Sequence, residues 1–159
     1  MHRVGQFVAH VRARVDPAEE AFALRLLSDG ARQLFASMPV ADRRHGLDVA
    51  ERLVAQGIDD ADVLGAALLH DAGKGVRLRL WHRVAGVVLE ALAPSFLARL
   101  ASRDPGSWRH PFHLYLHHEA LSAGLALEAG CSPRLAAFIR GEGDDARLQR
   151  ALKAADDAS

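Results

Sequence analysis

The amino-acid sequence predicts an all-α protein, a single-domain helical bundle. Alanine, leucine, arginine and glutamate, which all favour helices, dominate the composition. β-Branched residues are few, threonine is absent, and no alternation of apolar and polar residues lasts long enough to indicate a strand. A chain of 159 residues, of which 50% are hydrophobic, suits one domain with one core.

Residues 1–39 are expected to form a helical extension packed on a motif-bearing core, residues 40–159. A short amphipathic helix is predicted over 3–14, because four apolar residues share one of its faces: Val4, Phe7, Val8 and Val11. Asp16 and Pro17 favour the next helix start, since aspartate caps a first turn and proline fits it.

Glycine and proline predict the boundaries that follow. Asp29 and Gly30 are expected to break the helix that begins at Pro17. Pro39 then separates the next two helices, and Gly57 ends the second of them. The helices predicted from these signals are 17–27, 31–37 and about 41–55.

The most apolar helix follows a group of acidic residues. Asp59, Asp60 and Asp62 favour a helix N-terminus through side-chain caps and the helix dipole. Residues 63–69 are apolar nearly all round, so this helix is expected to be the central buried one. Gly73 is expected to supply the turn that ends it.

Similar signals divide the second half of the chain. Pro94 is expected to end one helix, and residues 104–107 form the clearest loop. Gly130 and Pro133 mark the next boundary, and residues 141–143 mark the last. The predicted helices are 77–92, 95–102, 111–129, 133–140 and 145–157.

Composition and charge argue against several function classes. Twenty basic residues balance twenty acidic ones, so no general attraction to nucleic acid or to acidic membranes is expected. No apolar segment is long enough to span a bilayer or to form a signal peptide, which predicts a cytoplasmic protein without a membrane partner. The single Cys131 excludes an intramolecular disulfide and a cysteine zinc cluster. Oligomerisation through helix 3–14 or helix 77–92 stays open.

Nine histidines direct attention to metal binding. His70 and Asp71 lie at the polar end of the most apolar helix, where buried polar side chains need partners. A divalent ion such as Mn, Fe, Co, Ni or Mg would suit an imidazole nitrogen beside a carboxylate oxygen. The alternative is a histidine and an aspartate that bond to each other or cap neighbouring groups.

The order of four residues resembles a known family. His45 precedes the His-Asp pair, and Asp156 lies near the end of the chain. A histidine, an adjacent His-Asp and a distant aspartate form the pattern of the HD superfamily of metal-dependent phosphohydrolases. Residues 67–74, Ala-Leu-Leu-His-Asp-Ala-Gly-Lys, are similar to its HD-x-G-K form, and residues 154–156 resemble its terminal Ala-Asp. The resemblance covers about 40–159 and implies an HD-type helical bundle.

The resemblance also implies roles for these residues. His45 and His70 would offer imidazole nitrogens, and Asp71 and Asp156 carboxylate oxygens, to one divalent ion per chain. The ion would make hydroxide available for attack on a phosphate ester. Lys74 would bind a phosphate oxygen unless it is an ordinary surface lysine, so Asp71 and Lys74 are the expected catalytic residues. The implied partner is a small-molecule phosphate ester, with a nucleotide as the leading substrate class.

Some HD proteins bind a second metal through two further histidines. Residues 115–124 resemble the first region concerned and align His118 with the additional ligand, although it could equally be a hydrogen-bonded interior residue. The second region would carry Glu-His-His, where this chain has Glu142, Gly143 and Asp144. Asp144 could replace one ligand, but glycine cannot. This departure motivates an alternative function, a non-catalytic sensor or interaction module that binds metal or none.

Other polar and aromatic residues have simpler explanations. Asp42 is expected to be a solvated helix residue, with orientation of His45 as the alternative. Asp157 competes with Asp156, and the family register favours Asp156. Three histidines share one helix face, which could be a polar surface: His110, His113 and His117. Three aromatic residues have a spacing more typical of core packing than of a nucleobase-binding wall: Trp108, Phe112 and Tyr115.

Overall fold

The computed structural model describes residues 15–75, 78 and 80–159. These residues form nine α-helices and a short 3₁₀ helix, with no strand among them, which confirms the all-α prediction. The α-helices are α1 (Pro17–Leu26), α2 (Asp29–Ser37), α3 (Val40–Ala55), α4 (Ala61–Leu69), α5 (Leu80–Leu92), α6 (Pro94–Leu100), α7 (His110–Glu128), α8 (Pro133–Ile139) and α9 (Ala146–Asp157). The 3₁₀ helix spans Ala72–Lys74. The predicted helix 3–14 lies outside the described residues.

Side-chain caps begin several of these helices by accepting backbone N–H groups that have no partner within the helix. The capping residues of α1, α2, α4, α8 and α9 are Asp16, Ser28, Asp60, Ser132 and Asp145. The expectation that Asp29 and Gly30 interrupt the helical structure is wrong, because they form the first turn of α2. The Ser28 hydroxyl accepts the N–H of Ala31 and places the interruption before them.

The core is built around α4, as its all-round apolar sequence predicts. Residues 63–69 are all buried, and α4 packs against α3, α8, α9, α1 and α2. Large side chains from the surrounding helices complete this core: Phe35, Leu47, Leu53 and Phe138. Burial of each such side chain contributes roughly 1.5–3 kcal/mol to folding. The polar end of α4 therefore projects from a rigid apolar element.

Two sequence expectations about individual side chains are wrong. Asp42 is 1% exposed rather than solvated, because it lies on the buried stripe of α3 at helical spacing from Gly46 and Val49. Trp108 is 68% exposed and lies in the loop before α7, whereas Phe112, in the first turn of α7, is buried as expected.

The later helices follow the predicted boundaries closely. Pro94 begins α6 directly after α5 ends at Leu92, so proline here starts a helix as well as ending one. α5 and α6 pack against each other and against α7. Within the described residues, none of the helices is both long and apolar enough to cross a membrane.

Candidate metal centre

Three helices bring together side chains from distant parts of the sequence. His45 lies on α3, His70 directly follows α4, and Asp156 lies in the last turn of α9. Each offers one ligand atom, and these atoms all lie within 4.8 Å of one another. Asp156 Oδ1 is 2.8 Å from His45 Nε2 and 3.4 Å from His70 Nε2. Three of the four predicted ligands therefore form one cluster.

A glycine allows α3 to carry His45 close to α4. A Cβ atom on Gly46 would lie 2.9 Å from the carbonyl oxygen of Leu68 and 3.1 Å from that of Ala67. Any side chain at this position would therefore push the two helices apart. Their close approach leaves the His45 and His70 ring centroids 5.2 Å apart, edge to face.

The packing of α9 decides which of two adjacent aspartates enters the cluster. Leu152 and Ala155 are buried against the core, which directs Asp156 toward the two histidines. Asp157 is mostly exposed and lies 3.8 Å from Lys153. The structure thus places Asp156, and not Asp157, beside the two histidines.

Asp71 borders this three-residue group. Its side chain is 2% exposed, and its Oδ1 lies 3.4 Å from His70 Nε2. Lys74 Nζ approaches both carboxylate oxygens to 2.6 Å and donates a hydrogen bond to Oδ2. The two residues predicted to be catalytic therefore form an ion pair beside the cluster, between a buried carboxylate and a half-buried lysine.

Two buried atoms that face each other make no well-aligned hydrogen bond. Among the described residues, neither His70 Nε2 nor Asp71 Oδ1 makes a well-aligned hydrogen bond. Charged groups nevertheless lie close, since Lys74 Nζ is 2.6 Å from Asp71 Oδ1 and Asp156 Oδ1 is 3.4 Å from His70 Nε2. A buried polar atom without a hydrogen bond costs roughly 1–3 kcal/mol, and these neighbouring charges offset part of that cost. A divalent cation would satisfy both atoms, since one is an imidazole nitrogen and the other a carboxylate oxygen. The residues present therefore fit a bound metal ion.

The tautomer of His70 supports the same fit. Its Nδ1 lies 2.8 Å from the carbonyl oxygen of Ala67. Because a carbonyl oxygen only accepts hydrogen bonds, Nδ1 carries the proton of the neutral ring. The lone pair is then on Nε2, which faces the cluster, and an N–H bonded to a carbonyl is the usual support of a metal-binding histidine.

The charges around His70 hold a proton on it when no ion is bound. Burial by itself lowers the pKa of His70, but the nearby charges of Asp71 and Asp156 outweigh burial and raise this pKa to about 9. Burial likewise opposes ionisation of the two carboxyls, yet His70 and Lys74 keep the pKa of Asp71 far below its usual range. The hydrogen bond from His45 and the charge of His70 keep the pKa of Asp156 far below its usual range as well. A proton and a metal ion therefore compete for one site.

A serine that the sequence analysis did not single out holds the turn carrying the His-Asp pair. Ser122, fully buried on α7, donates its hydroxyl hydrogen to the carbonyl oxygen of His70 at 2.6 Å. The same hydroxyl accepts the N–H of Gly73 at 2.8 Å. One side chain thus fixes both ends of the turn. A small polar residue beside Ala123 and Gly124 is compatible with close helix contact, but no sequence motif specifies this role.

Gly73 has a different function from the predicted one. The positive φ of the turn, 58°, belongs to Gly75. At Gly73 a Cβ atom would lie 2.7 Å from both the carbonyl oxygen of His118 and the backbone nitrogen of Ser122. The missing side chain therefore allows the turn to pack directly on the backbone of α7.

The residues proposed for a second metal lie outside the cluster. His118 is half-buried, and its Nδ1 donates to the carbonyl oxygen of Tyr115 at 2.9 Å. Asp144 is occupied elsewhere, because both its carboxylate oxygens accept from Arg134 at 3.0–3.1 Å. The structure therefore gives no support to Asp144 as a replacement ligand.

A cleft is lined by Lys74, the ion-pair partner of Asp71. It has a volume of about 450 Å³. Its polar lining residues are Lys74, Glu90, Tyr115, His118 and Glu119. Burial and the nearby charge of Lys74 lower the pKa of His118, which favours a neutral ring here. Lys74 belongs both to the ion pair with Asp71 and to this cleft.

Comparisons of the chain with protein-family models, with curated proteins and with solved structures found no match. The resemblance to the HD superfamily stays a prediction from the motif residues.

Proposed function

We propose that this chain is a divalent-metal-dependent phosphohydrolase that acts on a phosphate ester, with a nucleotide as the leading substrate class. The observation that carries the proposal is the meeting of His45, His70 and Asp156 around two buried atoms that make no well-aligned hydrogen bond, His70 Nε2 and Asp71 Oδ1. The order of these residues in the motif of the HD superfamily is the second support.

Four side chains of the chain would hold the ion, and a fifth would bind the substrate. His45, His70, Asp71 and Asp156 would hold the ion, which lowers the pKa of a bound water and offsets charge on phosphate oxygens. Lys74 would bind a phosphate oxygen, since its ammonium group lies at the cleft and against Asp71. The cleft is large enough for a small organic leaving group.

A non-catalytic metal-binding module is the second candidate. This candidate is favoured by the absence of Glu-His-His from the sequence region in which HD proteins with two metals carry it. Glu142 bonds to Arg140 and Asp144 to Arg134, so the carboxylates in this region are engaged in ion pairs. A module of this kind would bind one ion without turnover.

A hydrolysis assay separates the two candidates. The protein, stripped of metal and reloaded with Mn, Fe, Co, Ni or Mg in turn, is assayed on nucleoside monophosphates and simple phosphate esters. The proposal expects metal-dependent release of phosphate that is lost in Asp71→Asn and retained in Asp157→Asn, the exposed control. Metal binding without any hydrolysis would favour the module.

A further inference from the structure

A second group of metal-ligating side chains lies on α7, outside the candidate metal centre. His113 and His117 are four residues apart, which makes them neighbours on the helix surface. Their ring centroids are 4.4 Å apart, and the ring planes are tilted by 49°. His110 continues the same face, with its ring centroid 5.8 Å from that of His113. Two imidazoles are thus held side by side by one rigid element.

Among the residues that the structure describes, the ring nitrogens of this pair have no hydrogen-bond partner. His110 and His118, on the same helix, each donate through Nδ1 to a backbone carbonyl oxygen. By contrast, in the described part of the chain no hydrogen bond or ion pair joins His113 or His117 to another group. His113 is half-buried and His117 exposed, so their nitrogens are open to ligands from solvent.

The spacing suits chelation of one ion. Two histidine nitrogens on a tetrahedral zinc ion, each about 2.0–2.1 Å from the metal, lie roughly 3.3 Å apart. Rings whose centroids are 4.4 Å apart reach this spacing by side-chain rotation alone. Histidines four apart on a helix supply two ligands in known zinc sites.

The donor set indicates which ions would bind. The pair offers two imidazoles and no carboxylate, a set that suits Zn²⁺, Ni²⁺ and Cu²⁺ better than Mg²⁺ or Mn²⁺. In the candidate metal centre, oxygen donors from Asp71 and Asp156 lie beside the histidines and suit the harder ions as well. The two sites should therefore differ in selectivity.

We propose that His113 and His117 form a second divalent-metal site, selective for ions that prefer nitrogen ligands, with water completing the coordination. The site is independent of the proposed hydrolysis. A bound ion would link two successive turns of α7, the helix that also carries Ser122.

Zn²⁺ binding to the metal-free 159-residue chain tests this proposal. Zinc equivalents are counted by competition with a chromophoric chelator for the unsubstituted chain, His113→Gln and His117→Gln, with His110→Gln as the matched control. Circular dichroism checks that each variant keeps its helices. We expect each of the two variants to bind one equivalent fewer than the unsubstituted chain and the control.

Two-dimensional NMR of ¹⁵N-labelled histidine rings identifies the residues concerned. Zn²⁺ should shift the ring signals of His113 and His117, and Mg²⁺ should leave them unchanged. Equal zinc counts in all four proteins, or zinc shifts confined to other histidines, would overturn the proposal. If His110→Gln also bound one zinc equivalent fewer than the unsubstituted chain, the assignment of only two ligands would be overturned. None of these outcomes depends on phosphohydrolase activity.

Discussion

His45 Nε2 and Asp156 Oδ1 lie 2.8 Å apart although 111 residues separate them in the chain. The contact joins α3 to α9, and His70 at the end of α4 completes the cluster. Because each residue is carried by a different helix of the bundle, the candidate metal centre depends on the packing of the whole fold. Substitutions that disturb helix contacts should therefore change metal binding as well as stability.

Gly73→Ala tests the contact between the His-Asp turn and α7. The new Cβ would lie 2.7 Å from two backbone atoms of α7, so we expect a loss of roughly 1–3 kcal/mol in the free energy of unfolding. Gly124→Ala is the matched control, since its Cβ would meet no atom within 4 Å and alanine favours a helix. Urea denaturation measures the free energy of unfolding of both variants. Equal stability of the two variants would contradict the close contact.

Ser122→Ala tests the serine that fixes both ends of the turn. Removal of its hydroxyl leaves the buried N–H of Gly73 without its partner, which should cost roughly 1–3 kcal/mol of stability. Metal affinity should fall too, because the position of His70 is no longer held. The exposed Ser37, whose hydroxyl also donates to a carbonyl, provides the control Ser37→Ala. Mn²⁺ titration that finds equal affinity in both variants would argue against a positioning role for Ser122.

Lys74→Met separates phosphate binding from metal binding. We expect kcat/KM for phosphate-ester hydrolysis to fall by about 100-fold, since a cation that offsets developing charge is lost. Metal affinity should be retained or increased, because the substitution removes a positive charge 2.6 Å from Asp71. Kinetics and metal titration are measured on the same preparation. Unchanged kinetics would identify Lys74 as a purely structural ion-pair partner.

The raised pKa of His70 predicts how stability of the metal-free protein varies with pH. This pKa rises from 6.5 to about 9 on folding, so the stabilisation is fully present below pH 6.5 and is lost as pH rises through 9. Unfolding free energies of the chelator-treated protein should fall across this range. The substitution His70→Gln should remove this dependence of the unfolding free energy on pH. A flat profile for the unsubstituted chain would contradict the assigned ion pairs.

Metal affinity should change with pH in the opposite direction. Because a bound ion must displace the proton of His70, affinity should rise with pH between 6.5 and about 9, by about tenfold per unit where one proton is released. Isothermal titration with Mn²⁺ in buffers of different ionisation enthalpy counts the protons released. Binding without proton release near neutral pH would show that the ion does not displace the proton of His70.

Much of the fold was predictable because local signals dominate it. The apolar run 63–69 specifies its own burial, and capping aspartates specify helix starts. The motif also predicted the meeting of His45, His70 and Asp156. Spacing alone could have revealed the burial of Asp42, which lies on the same α3 stripe as Val49.

The remaining features depend on contacts between helices. Ser122 is specified by the position of α7 against the His-Asp turn, which no local pattern encodes. The same holds for Gly73, because its close neighbours are backbone atoms 45 or more residues away in the chain. The engagement of Asp144 by Arg134 also required the packed structure.

Mn²⁺ content tests the candidate metal centre most directly. Chelator-treated protein without an affinity tag is dialysed against Mn²⁺, an ion that the His113 and His117 pair should bind weakly, and analysed for bound metal. The unsubstituted chain and Asp157→Asn should each retain about one equivalent, in line with a single site of mixed nitrogen and oxygen ligands. Asp156→Asn should retain little. Equal manganese content in Asp156→Asn and Asp157→Asn, or no binding in any of the three proteins, would contradict a metal centre at His45, His70 and Asp156.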